Sequence, residues 1–124
     1  MNLDSLRTLC LSFPHATENV QWGGELCFKV RGKIFAMVSL ESVPQSLIFK
    51  CDPEQFAELT EREGINPAPY VGRYKWVMLE NFDVVPHWEL QELIRQSYAL
   101  VAAKIPAVRA GRSRQKYVRK QKPA

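Results

Sequence analysis

Arg73-Tyr74-Lys75-Trp76 alternates cations with aromatic rings. Such a set can follow a nucleic-acid backbone by charge and stack its bases on the rings. A second group, Lys29-x-Arg31-x-Lys33, puts three cations beside one turn. Read as a strand, it places Lys29 and Arg31 on one face. A hairpin tip of that kind can contact phosphates, an interaction that is salt-dependent and blind to sequence. The third group is the C-terminal segment, where Arg109, Arg112, Arg114, Lys116, Arg119, Lys120 and Lys122 follow Pro106 with no acid among them and Tyr117 between. It can hold DNA or RNA without specificity.

Each group also has a purely structural reading. Charges on an edge strand keep it from pairing with other chains. A basic end keeps a chain soluble. The alternating pattern around Trp76 assigns that ring mainly to the core, with Tyr70 packing the Pro-rich loop before it, which leaves Arg73 and Lys75 at the surface.

Catalytic groupings are poor. His15 with Glu18 and His87 with Glu89 could pair an acid and a base, but no nucleophile or third orienting group accompanies either. We read the chain as non-enzymatic. Cys10, Cys27 and Cys51 are odd in number, widely spaced and set in apolar contexts, the pattern of buried reduced thiols. With only two distant histidines they do not assemble a zinc site. Glu58, Glu61 and Glu63 read as a solvated helix face rather than an iron-binding ridge. Gly23-Gly24 and Gly32 lack phosphate-loop spacing. No cofactor or metal is expected.

A chain of 124 residues, 46% hydrophobic and 24% charged, reads as one soluble domain. The net charge of +4 conceals an asymmetry, because the seven cations after Pro106 leave ten basic groups against thirteen acids before it, a net of −3. The pI of about 9.1 therefore belongs to the tail. No apolar run approaches the roughly 20 residues that span a bilayer, and Met1-Asn2-Leu3-Asp4 lacks the basic-then-apolar order of a secretion signal. We expect a cytoplasmic monomer.

Several elements must position these residues. Asp4 to Ser12 reads as a helix with Leu3, Leu6, Cys10 and Phe13 on one face, ended by Pro14. From Glu18 to Cys51 the pattern is a meander: Glu18–Trp22, a Gly23-Gly24 turn, a strand with Leu26, Phe28 and Val30 alternating, the Arg31-Gly32-Lys33 turn, Ile34–Leu40, a loop and Ser46–Cys51. Asp52-Pro53-Glu54 starts a helix that buries Phe56 and Leu59, with Gly64 expected at its C′ position. Ile65 to Gly72 reads as a loop, and a strand from Arg73 or Tyr74 to Glu80 follows. Pro86 to Lys104 is the longest helix, with Leu90, Leu93, Ile94, Ser97, Val101 and Ile105 as its apolar stripe. Residues 107–124 show no hydrophobic period and read as disordered. The order α-β-β-β-β-α-β-α argues for an α+β fold of two layers, with an antiparallel sheet of about five or six strands and helices on one face.

Six pieces of this chain in register resemble the MmcQ/YjbR family. They are Phe13-Pro14-His15-Ala16-Thr17-Glu18; Gln21-Trp22-Gly23; Cys27 through Ala36; Lys50-Cys51-Asp52-Pro53; Ala68-Pro69-Tyr70 leading to Lys75-Trp76-Val77; and Ser97 through Pro106. The resemblance runs from about residue 3 to 106 and leaves the tail outside. It implies a CyaY-like, double-wing fold, two β-hairpin wings of one sheet beside helices. Members are often labelled DNA-binding, by analogy of fold, which does not fix function. This chain departs from a common family form that has His-Met-Asn-Lys before the tryptophan; here Val71-Gly72-Arg73-Tyr74 precedes Lys75-Trp76.

Two function classes follow. The first is weak or nonspecific DNA binding through Lys29, Arg31, Lys33, Arg73, Lys75 and the tail cations. The alternative is a protein-interaction module resembling secretion-chaperone-like folds, supported by the acidic body. A small-molecule pocket under the Pro67–Tyr74 loop is a third, lesser candidate. A continuous positive stripe joining Arg31 and Arg73 favours DNA; a dispersed or acidic face favours a protein partner.

Overall fold

The computed structural model describes residues 1–105. Pro106 and the basic segment 107–124 lie outside the described residues, but the last helix, expected to run to Lys104, already ends at Ala102 with Ala103 as its C-cap. Helix α1 spans Leu3–Leu11, and Asn2 and Ser5 form a reciprocal capping box at its start. Strands β1 (Ala16–Gln21), β2 (Glu25–Val30), β3 (Lys33–Ser39) and β4 (Leu47–Lys50) follow. Helix α2 (Pro53–Leu59) is capped by Asp52, whose carboxylate accepts from the Gln55 amide at 2.8 Å. Strand β5 (Ile65–Pro67), a 3-10 turn at Gly72–Tyr74 and strand β6 (Trp76–Leu79) lead to helix α3 (His87–Ala102).

All six strands form one antiparallel sheet in the order β1-β2-β3-β4-β6-β5. The fold is α+β in two layers. Helix α3 lies across β2, β3 and β4, α1 packs on β1, and α2 packs on β5 and β6. Leu26, Phe28, Val30, Ala36, Val38, Leu47, Phe49, Val77 and Leu79 point into the same core as Leu6, Leu59, Leu90 and Ile94. Burying each of its large side chains contributes about 1.5–3 kcal/mol.

Four expectations need correcting. Ile65–Pro67 is not loop: it pairs with β6, with Ile65 opposite Leu79. The strand after it starts at Trp76, because the 3-10 turn consumes Gly72–Tyr74 and Lys75 closes it in the left-handed region at φ 72°. Helix α2 ends at Leu59 with Thr60 as its C-cap, so Gly64, at φ +87°, serves the turn into β5 and not the helix end. Arg31 does not continue the face of Lys29. Arg31 and Gly32 form the two-residue hairpin turn, at φ 49° and 86°, and a bulge at Phe28/Lys29 shifts the register just before it.

The bulge lets consecutive residues Phe35 and Ala36 both enter the core. Phe35 meets Phe28, Phe13 and Tyr98 there, and Tyr98 stacks on Phe13 at 4.7 Å. Past the Ala36–Phe49 pair, β3 and β4 diverge. The buried Ser97 of α3 fills the gap: its hydroxyl donates to the Phe35 carbonyl at 2.6 Å and accepts from the Lys50 amide at 2.9 Å. A helix side chain thus replaces a missing rung of the sheet.

Candidate nucleic-acid interface

Ten cations lie before residue 106. Three are held by carboxylates: Arg7 by Glu18, Arg62 by Glu89 and Glu58, Arg95 by Glu92. The other seven, Lys29, Arg31, Lys33, Lys50, Arg73, Lys75 and Lys104, have no ion pair among the described residues. Strand direction gathers them. In an antiparallel sheet the end of β2, the start of β3, the end of β4 and the start of β6 fall on one edge. Lys29 and Arg31 close β2, Lys33 opens β3, Lys50 closes β4, and Arg73 and Lys75 precede β6. Lys104, just past α3, lines the same cleft as Lys33 and Lys50. The opposite end holds Glu25 at the start of β2, Glu41 after β3, Glu63 before β5, and Glu80 and Asp83 after β6. Five of the thirteen acids therefore lie at the far end. The acids at the basic end are Asp52 and Glu54, in the cap and first turn of α2, and Glu18, which stands opposite Phe28 on β1 and is held by Arg7.

On the sheet face away from the helices, Lys29 stands opposite Ile34 and Lys50 opposite Trp76. The Lys50 ammonium lies 5.7 Å from the Trp76 ring centre and donates to the Tyr74 carbonyl at 2.7 Å. Arg73 lies over the Tyr74 ring at 4.9 Å and Lys75 over Phe56 at 5.0 Å. These contacts fix the cations against aromatic faces instead of carboxylates. Where β3 and β4 diverge, a cleft of about 670 Å³ opens, bounded by Lys33, Lys50, Tyr74, Trp76, Val101 and Lys104.

The structure thus brings Lys29, Arg31, Lys33, Arg73 and Lys75 to one end, as a binding surface requires. Arg109, Arg112, Arg114, Lys116, Arg119, Lys120 and Lys122 lie outside the described residues. Two aromatic assignments reverse. Trp76 is not a core anchor: Val77 and Leu79 fill the core and alternation turns Trp76 to the other face, half-buried. Tyr70 does not pack the Pro-rich loop; it is 97% exposed, in the left-handed region at φ 68°. Lys50 and Lys104 were missed. Alternation along Leu47–Lys50 already turns Lys50 away from the core, whereas nothing local reveals that Lys104 returns to the same edge.

The acid–base pairs dissolve into ion pairs. Arg7 donates from Nε to Glu18 at 2.9 Å, and Arg62 binds Glu89 with two bonds of 2.7 and 3.0 Å. Each guanidinium holds its carboxylate below the ordinary range by hydrogen bonding, against a smaller opposing effect of burial. Such carboxylates are weak proton acceptors. The three cysteines are free and buried. Burial pushes the Cys10 thiol up to about 12 and the Cys51 thiol up to about 11, and it raises Cys27 as well. Among the described residues no group of three or more His, Cys, Asp or Glu is placed to hold a metal ion, and no helix is long and apolar enough to cross a membrane.

A family model described as YjbR matches residues 11–100. The chain belongs to the YjbR family. A solved structure of a Deinococcus radiodurans protein carrying the DUF419 domain is 32% identical, covers 83% of this chain and 80% of its own, and superposes with a TM-score of 0.77. A Pseudomonas syringae protein shares the fold at 17% identity and a TM-score of 0.66, covering 82% of this chain and 99% of its own. No curated protein matches the chain. The YjbR match contains every cation of the basic end except Lys104, which lies just beyond it.

Proposed function

We propose that this YjbR protein is a non-catalytic, sequence-tolerant DNA-binding module that uses the basic end of its sheet. The observation that carries this reading is the sorting of charge. Seven cations without carboxylate partners among the described residues share one end with exposed Tyr74 and half-buried Trp76. Surface cations alone would give a solvated face. Cations interleaved with rings on an uncovered sheet suit a backbone and its unstacked bases. The chain continues from Ile105, on the rim of the cleft, into seven further cations.

Fluorescence anisotropy of labelled single-stranded and duplex DNA, at low and at physiological salt, tests the proposal. If all seven tail cations meet phosphates, log K falls with log salt at a slope of about −6 on duplex DNA. A chain ending at Ile105 retains weaker binding with a shallower slope. Absence of binding by either length overturns the proposal, and complete loss on shortening moves the function to the tail.

A second reading rests on a separate observation. The register row Met37, Ile48 and Met78, half-buried beside the buried Cys27, runs across the face of the sheet away from the helices. Such an apolar row also suits a protein partner. Pull-down of one stoichiometric protein, by a chain that fails to bind DNA, would favour it.

A further inference from the structure

The cleft between β3 and β4 has a composition that the rest of the basic end lacks. Val101, Trp76 and Tyr74 give it apolar and aromatic walls, Lys33, Lys50 and Lys104 stand around it, and no acid lines it. Its volume of about 670 Å³ lies in the range of small-molecule sites. Lys33 and Lys104 are exposed, whereas Lys50 is held by its bond to Tyr74, which uses one of three ammonium donors. Burial, and then the charge of Lys104, lower the Lys50 pKa. An anion bound here would relieve that repulsion. The chain's own continuation is a poor occupant, since residues 106–124 bring seven cations and no acid.

We propose that this cleft is a subsite for a phosphorylated nucleoside, with the planar base against Trp76 and Tyr74 and the phosphate among Lys33, Lys50 and Lys104. A phosphate monoester carries close to two negative charges, which matches three ammonium groups better than an internal phosphodiester does. Two sources share this chemistry: a free mononucleotide and the phosphorylated end of a DNA strand. The second source rests on the DNA-binding reading above, and the first does not.

The full-length chain carrying Trp22→Phe and Trp88→Phe leaves Trp76 as its sole tryptophan. Its emission is followed while deoxyadenosine monophosphate, deoxyadenosine or inorganic phosphate is added, with titration calorimetry in parallel. The monophosphate is expected to bind saturably and to quench Trp76, and the nucleoside to bind at least tenfold more weakly. Lys104→Ala, at an exposed position, is expected to weaken the monophosphate by about tenfold or more and to leave the melting temperature unchanged. Anisotropy then compares 5′-phosphorylated with unphosphorylated single strands. Tighter binding of the phosphorylated strand, lost in Lys104→Ala, assigns the subsite to strand ends; monophosphate binding with no strand preference assigns it to free nucleotides. No monophosphate binding together with equal affinity for the two strands overturns the subsite and leaves DNA binding standing. Monophosphate binding by a chain that binds no DNA overturns the DNA reading and leaves the subsite.

Discussion

Ser97 shows how one side chain sets the geometry of the basic end. Its hydroxyl joins the Phe35 carbonyl to the Lys50 amide and so ties together the strands where they diverge beside the cleft. Ser97→Ala leaves both groups without that partner in a buried place and is expected to lower stability by about 1–3 kcal/mol, read from urea unfolding. Glu18 and Glu89 act differently. Their folded pKa values are depressed, so their stabilisation is complete above the ordinary carboxylate pKa and is lost as pH falls through the folded values. The melting temperature is expected to drop on acidification from about pH 5 to about pH 3, and the double variant Glu18→Gln, Glu89→Gln to flatten that dependence. The thiols give a third check. Buried and with raised pKa values, Cys10, Cys27 and Cys51 should resist a disulfide reagent in the native protein and react on unfolding.

Among the elements, the β2–β3 hairpin and α3 have the most influence. The hairpin turn needs two left-handed residues, and Gly32 adopts φ +86° without a side chain to strain. Phe35 depends on the bulge behind that turn; Phe35→Ala should cost about 3–5 kcal/mol, a large part of the stability of a domain this size. Helix starts and alternation were legible in the sequence. Asp52-Pro53 caps α2 as its residue types require, and Leu90, Leu93, Ile94, Ser97 and Val101 form the buried stripe of α3. The region from Gly64 to Trp76 was less legible. Its turns depend on tertiary contacts: a Cβ on Gly72 would come within 2.9 Å of the Pro67 ring, a proximity that no local pattern encodes. Trp76 was misplaced for a related reason. Alternation gives two faces, and which one meets the helices is decided by Val77 and Leu79 packing opposite Phe49 and Leu47.

At the scale of the whole molecule, the net charge of the folded body misleads. A total of −3 before the tail suggests repulsion from DNA, yet antiparallel topology sends the seven unpaired cations to one end and five of the thirteen acids to the other. Local spacing identified Lys29, Arg31, Lys33, Arg73 and Lys75 as candidates. Only the strand order joins them to Lys50 and Lys104 and to the rings of Tyr74 and Trp76. Field lines from such an end draw anions toward the open sheet edge. Membership of the YjbR family fixes the architecture, while the function proposed here rests on this distribution of charge.

The most direct test is an amide NMR titration of the full-length protein with a short single-stranded DNA. Shifts are expected to concentrate at Lys29, Arg31, Ile34, Lys50, Tyr74, Trp76 and Lys104, with residues around Glu25, Glu41 and Asp83 unmoved. Shifts confined to residues 106–124, or centred on the Met37, Ile48 and Met78 row with the basic end silent, would contradict the proposed interface.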